Sequence, residues 1–161
     1  MRTFLVLFAI VLLTTALPTG AEEAQSPDTN SYTVPLGEGI TLEMTVAKFK
    51  AGEHKLTGYQ EPGRSYASLI DGKPVFGTDG ELPSNQLIKA TVIIEVDTIS
   101  LDVSCMYNPF FGEPDPRFFK IVRRSGFVIW GYFSDGAGSY EAEWLIVKNS
   151  SVRVRLEWGE C

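Results

Sequence analysis

Tyr140-Glu141-Ala142-Glu143-Trp144-Leu145-Ile146-Val147-Lys148, then Asn149-Ser150-Ser151, then Val152-Arg153-Val154-Arg155-Leu156-Glu157-Trp158, is the stretch that decides the fold. Apolar and polar side chains alternate on both sides of a short polar break. A period of two marks a strand with one face buried and one face wet. A three-residue loop at 149–151 sets Ala142, Trp144 and Ile146 on one face with Val154, Leu156 and Trp158. Glu141, Glu143, Arg153 and Arg155 then share the other face. One residue of slip flips every side chain, so the pattern predicts that loop. Ion pairs on the wet face contribute roughly a few tenths of a kcal/mol each.

The same punctuation recurs upstream. Ile40, Leu42, Met44 and Val46 alternate with Thr41, Glu43, Thr45 and Ala47. Leu87 to Val96 is rich in β-branched residues. Ile99, Leu101, Val103 and Cys105 then alternate with polar residues, which places Cys105 on a buried face. Asp71-Gly72, between the apolar triplets at 68–70 and 74–76, signals a hairpin. Phe118–Val122 and Phe127–Phe133 flank Arg123-Arg124-Ser125-Gly126 as another. The second of these runs is apolar on both faces and reads as a central strand covered on both sides. Gln60 to Ala67 has room for one helical turn. About eight or nine short strands divided by Gly, Pro and Asp turns predict an all-β fold, an antiparallel β-sandwich or small barrel. An α+β fold with one short helix is the alternative.

The chain has 161 residues, 44% of them hydrophobic and 21% charged, and a formal charge of −6. That composition suits one globular domain. The negative balance argues against nucleic acid, which selects clustered Lys and Arg. Met1-Arg2, the uncharged apolar run Phe4–Leu13 and the small residues Thr19-Gly20-Ala21 have the three-part order of a secretory signal. The run is short for a permanent membrane span. The expected organisation is a signal peptide at 1–21, a flexible lead-in at 22–30 and a single β-rich domain at 31–161. The destination is secreted or periplasmic, with no membrane anchor after cleavage.

Two cysteines, Cys105 and Cys161, are expected to form a disulfide in an exported chain. Closing a loop of that length stabilises by about 4 kcal/mol in the chain-entropy account. A bridged Cys105 removes the nucleophile from any Cys–His pair with His54, the sole histidine. One histidine and two distant cysteines do not make a zinc site. Asp71, Asp79, Glu81, Glu113 and Asp135 sit in glycine-rich loops. They lack the alternating acid spacing of a calcium loop. Glu141 and Glu143 share a face with two arginines, which reads as a solvated ionic surface rather than an acid–base pair. No catalytic residue, metal or cofactor is expected.

Two loops carry the binding expectation. Tyr107 to Pro116 holds Tyr107, Phe110 and Phe111 in a proline-stiffened segment. Rigid aromatics offer contact area at little entropic cost; the alternative is that the two phenylalanines plug one end of the core. The turn Ser134-Asp135-Gly136-Ala137-Gly138-Ser139-Tyr140 joins two apolar strands through small residues. In its first and last residues and its small interior it resembles the inhibitory loop of periplasmic lysozyme inhibitors, although the interior order differs. The likeness spans that turn alone and implies a β-domain with an inserting loop. The alternative is a tight hairpin turn that needs glycine's freedom at positive φ. Asn149-Ser150-Ser151 also fits the N-glycosylation pattern.

The sequence therefore predicts an exported non-catalytic module. It would bind a protein through loops 107–116 and 134–140, with contacts from Tyr107, Phe110, Phe111, Ser134, Asp135 and Tyr140. The alternatives are a carbohydrate or small-ligand binder using aromatic platforms, and an inhibitor of a secreted or periplasmic hydrolase. Mass spectrometry of processed protein should find a chain beginning at Glu22 and lighter by two hydrogens than its reduced form. Two free thiols in correctly processed material would contradict the bridge.

Overall fold

Alternating runs become strands, and the Gly- and Asp-rich breaks between them become turns. The computed structural model describes residues 28–58, 60–61, 64–123 and 127–159. The strands are β1 (Thr29–Gly37), β2 (Ile40–Lys48), β3 (Leu56–Thr57), β4 (Gln60–Glu61), β5 (Arg64–Ser65), β6 (Leu69–Ile70), β7 (Lys73–Pro74), β8 (Asn85–Ile94), β9 (Asp97–Leu101), β10 (Phe119–Arg123), β11 (Phe127–Phe133), β12 (Tyr140–Val147) and β13 (Ser150–Trp158). The long strands form two antiparallel four-stranded sheets, β1-β2-β8-β9 and β10-β11-β12-β13. The short ones form β3-β6-β7 and β4-β5. This is the all-β, sandwich-like architecture expected. The signal segment 1–21 and Cys161 lie outside the described residues. The end of the 22–30 lead-in is already strand, since Thr29 pairs with Ala47.

Each long strand turns alternate residues inward. Leu42, Met44, Val92, Ile129, Phe133, Ala142 and Trp144 are buried in one cluster shared by both sheets. Burying a large apolar side chain contributes about 1.5–3 kcal/mol. Phe133 stacks on Tyr140 at 5.3 Å and meets Trp144 edge-on at 6.1 Å. Gly131 makes this packing possible, because a Cβ there would lie 2.7 Å from the Phe133 ring and 3.1 Å from the Phe119 ring.

The sheets also meet along their edges, β9 beside β13 and β1 beside β10. Side chains close the first seam. Ser151 Oγ donates to the Ser100 carbonyl at 2.6 Å. Arg153 donates to the carbonyls of Asp102 (3.3 Å) and Ser104 (2.6 Å) and to Ser104 Oγ (3.0 Å). It also pairs with the Asp102 carboxylate at 3.1 Å. Trp144 Nε1 donates to the Asp102 carbonyl at 2.8 Å. A strand edge covered in this way is closed to pairing with another chain.

Four expectations are corrected. The closing hairpin turns on two residues, Lys148-Asn149, with Val147 paired to Ser150 and Lys148 at φ 53°. Two-residue turns of this hand match the twist of the flanking strands. A bulge between Glu143 and Trp144 then restores the expected facing, with Ala142 opposite Leu156 and Glu143 opposite Arg155. Arg153 consequently faces the core side, and Val154 is 53% exposed. Second, β9 stops at Leu101, so Cys105 leaves the strand pattern with φ 70° and is half-buried. Third, the segment given room for a helical turn contains the β4–β5 pair. Fourth, β11 is a central strand as expected, but its outer face is only partly covered: Ile129 is inaccessible on the inner face, whereas on the outer face Val128 is buried and Trp130 and Tyr132 are half-buried.

The turns at 37–39, 95–96 and 148–149 share one end of the sandwich, and the long connections 49–84, 102–118 and 134–139 share the other. Connections of that kind carry function more often than tight turns do. Replacing Arg153 by Met keeps the aliphatic stem and removes the clasp. The expected cost is about 2 kcal/mol in urea unfolding. Lys50→Ala, which removes a solvent-exposed pairing, should cost less than about 1 kcal/mol. Equal losses would contradict the clasp.

Candidate functional site

Three of the long connections are held together by backbone-directed bonds. Asn108, at φ 37°, accepts through Oδ1 from the amides of Ser84 (2.9 Å) and Asn85 (3.0 Å). Its Nδ2 donates to the Gly77 carbonyl at 3.0 Å. The Ser134 amide donates to the Pro109 carbonyl at 2.9 Å, and Tyr140 OH donates to the Tyr107 carbonyl at 3.2 Å. Glycine is required at 77, where φ is 101° and a Cβ would fall 1.8 Å from the Tyr107 oxygen. These bonds bring segments 77–84, 107–111 and 134–138 around one cleft of about 480 Å³.

Both loops singled out in the sequence reach this cleft, but only some of their named residues line it. Phe111 is 71% exposed on its wall, beside Ser134 and the exposed Asp135. Tyr140 is inaccessible and Tyr107 nearly so. Burial, followed by the nearby Cys105 and Asp71, pushes the Tyr107 hydroxyl up to about 12. Burial likewise raises Tyr140 well above the ordinary phenol range. Phe110 packs on Tyr32, Phe119 and Phe133. The core-plug alternative therefore holds for Phe110 and not for Phe111.

Sequence reasoning weighed Asp79 and Glu81 only as calcium ligands. The structure places both in the cleft wall, with Asp79 against Gly138. Among the described residues, no group of three His, Cys, Asp or Glu side chains is placed to hold a metal. Asn108 was missed altogether. Its only sequence signal is an Asn before proline in a loop, where positive φ is tolerated.

Ser134 is the strained member of the site. It sits at φ 62°, and its buried hydroxyl oxygen has no hydrogen-bond partner among the described residues. A non-glycine left-handed residue costs of order 1 kcal/mol or more. A buried unsatisfied hydroxyl costs about 1–3 kcal/mol.

The other candidates resolve into structural roles. His54 Nδ1 lies 2.8 Å from Asp71 Oδ2, and its ring stacks on Phe49 at 4.8 Å. The His54 hydrogen bond, then the Lys55 amide, holds the Asp71 carboxyl below its usual range. No hydrogen bond joins His54 to Cys105 among the described residues, so a nucleophile–base pair is not assembled. Cys105, which has no disulfide partner among the described residues, lies beside a second cavity of about 470 Å³ that Asp71 and Tyr107 also line. Glu141 and Glu143 each lie 3.1 Å from Arg155, and Glu141 accepts from Trp130 Nε1 at 3.0 Å. Lys120 caps the Trp130 ring at 4.0 Å, and Trp144 is in the core. Neither indole is a free stacking platform.

No protein-family model, curated protein or solved structure matches this chain. Among the described residues no helix is long and apolar enough to cross a membrane. The site's chemistry must be read from its own side chains: an exposed aromatic, carboxylates and a strained serine around a cleft.

Ser134→Gly relieves both the left-handed strain and the unsatisfied hydroxyl. It should raise unfolding free energy by about 1–2 kcal/mol, read from the urea midpoint at unchanged slope. A destabilised variant would show that the serine is needed for the fold.

Proposed function

We propose that this protein is an exported, non-catalytic module that binds another protein through the cleft end of its sandwich. The observation that carries the reading is Phe111, held 71% exposed beside a cleft built from both loops. An exposed phenylalanine on a stapled loop is a ready anchor for a partner's pocket, because its ordering cost is met within the fold. The leader-like N-terminus supports export, and the Cys105–Cys161 bridge belongs to the same proposal. The tied indoles of Trp130 and Trp144 weigh against carbohydrate stacking.

Inhibition of a secreted or periplasmic hydrolase is the narrower form of this reading. It draws support from Asp135, Gly136 and Ala137, which stand exposed in the turn next to Phe111.

The test is recovery of partners from extracellular or periplasmic extract by the mature domain and by Phe111→Ala. The variant removes no buried contact and should fold unchanged. Loss of a recovered protein, by about tenfold or more for a hot-spot aromatic, is the expected result. Identical recovery by both forms would set the cleft end aside as the binding surface.

A further inference from the structure

The two outer faces of the sandwich differ in chemistry. Across the first sheet, Thr33, Glu43, Thr91 and Ser100 lie side by side in one row. Ser31, Thr45 and Lys89 form the next. Hydroxyls and charges of that kind suit water. Across the second sheet, Val122, Val128, Leu145 and Val152 form a row, and the adjoining row is Lys120, Trp130, Glu143 and Arg155. Beyond Trp130, Tyr132 meets Phe118 at 5.5 Å. Val152 is 57% and Phe118 46% exposed, and no other sheet packs over this face among the described residues. A contiguous aliphatic and aromatic patch on one wet face, with no counterpart on the other, has the character of an interface. Its charges are divided across the strands. Three carboxylates on β12 and β13, Glu141, Glu143 and Glu157, share the single guanidinium of Arg155. Lys120, on β10, lies over the Trp130 ring at 4.0 Å and forms no ion pair among the described residues.

We infer that this face pairs with the same face of a second copy of the chain. The pattern is self-complementary about a two-fold axis running along β11. Such an axis sets Val128 and Trp130 against their own counterparts. It also carries β10 over β12 of the second copy, because those strands flank β11. Lys120 then meets Glu143, two places along its own row, and Val122 meets Leu145. The unpaired cation reaches the carboxylates that are in excess, once from each copy, and aliphatic side chains meet aliphatic ones. Sheets joined this way pack with their strands aligned, about 10 Å apart. Four strands about 4.8 Å apart and three rows about 7 Å apart make a face of roughly 20 by 20 Å, so two faces bury on the order of 1,000 Å². That is the small end of specific interfaces, and the expected dimer is a reversible one in the micromolar to millimolar range. A two-fold contact of one face with itself closes at two copies. The face lies apart from the cleft end, so the inference stands without the protein-binding reading. A dimer would present two Phe111 loops at once.

The test is analytical ultracentrifugation of the full mature chain from micromolar to millimolar concentration. Wild type should pass from monomer to dimer and stop there. Lys120→Glu sets like charges opposite each other at both copies of the contact and should weaken the dimer at least about tenfold. Lys89→Glu makes the same charge change on the hydroxyl-rich face and should leave it unchanged. Both lysines are exposed, so both variants should keep the wild-type far-ultraviolet dichroism and urea midpoint. Glu143→Lys should weaken its own dimer, yet an equimolar mixture of Lys120→Glu with Glu143→Lys should form a heterodimer, because opposite charges then meet at both contacts. A chain that stays monomeric throughout, or associates without stopping at two copies, would overturn the inference. So would equal weakening by Lys120→Glu and Lys89→Glu, a comparison that holds whether or not Glu143→Lys folds. With both variants folded, a mixture that stays monomeric would overturn it as well.

Discussion

The structure depends on Trp144 reaching across the sandwich. Its ring is 1% exposed between the sheets, and its indole nitrogen donates to the Asp102 carbonyl where the chain leaves β9. A buried indole without an acceptor would sacrifice much of what its burial gains. The bond therefore fixes where β9 must end relative to β12. Arg153 and Ser151 close the same seam from β13. With that edge shut, the chain after Leu101 is directed out of the sheet into the 102–118 connection, at the end where the other long connections lie.

That placement links packing to the candidate site. Tyr140 begins β12 in the core and ties down Tyr107; Asn108, the next residue, staples segments 77 and 84–85; Pro109 holds Ser134. A residue assigned to binding from sequence, Tyr140, thus acts one step removed, as the core post on which the loops hang. Rigid loops on such a post keep Phe111 and the cleft carboxylates in one arrangement, so little entropy remains to be lost on binding.

Much of the fold was legible because period-two burial is a local property. The β2 alternation, the Asp71-Gly72 turn and the β10–β11 pair all follow from neighbours in sequence. The failures arose where a local choice is settled at a distance. The bulge opposite Glu143 allows a two-residue turn and still lets Arg153 reach the seam, and nothing within 140–158 announces the Asp102 carbonyl it meets. Cys105 continues an alternating pattern on paper, yet β9 has already ended at Leu101 and the chain turns away. In the site, the two loops could be named from composition. Which phenylalanine faces inward could not, because Phe110 and Phe111 differ only in position along a backbone set by Asn108 and Pro109. Asp79 and Glu81 reach the same cleft through the Gly77 carbonyl that Asn108 holds, a link with no counterpart in sequence spacing.

The most direct measurement is the solvent exchange rate of the Trp144 indole proton, assigned by comparison with Trp144→Phe. The account requires strong protection, lifted only when the domain unfolds, because the proton is both buried and bonded across the seam. Exchange at the rate of free tryptophan in the folded protein would mean that the seam is open. The convergence of the loops would then lack its cause.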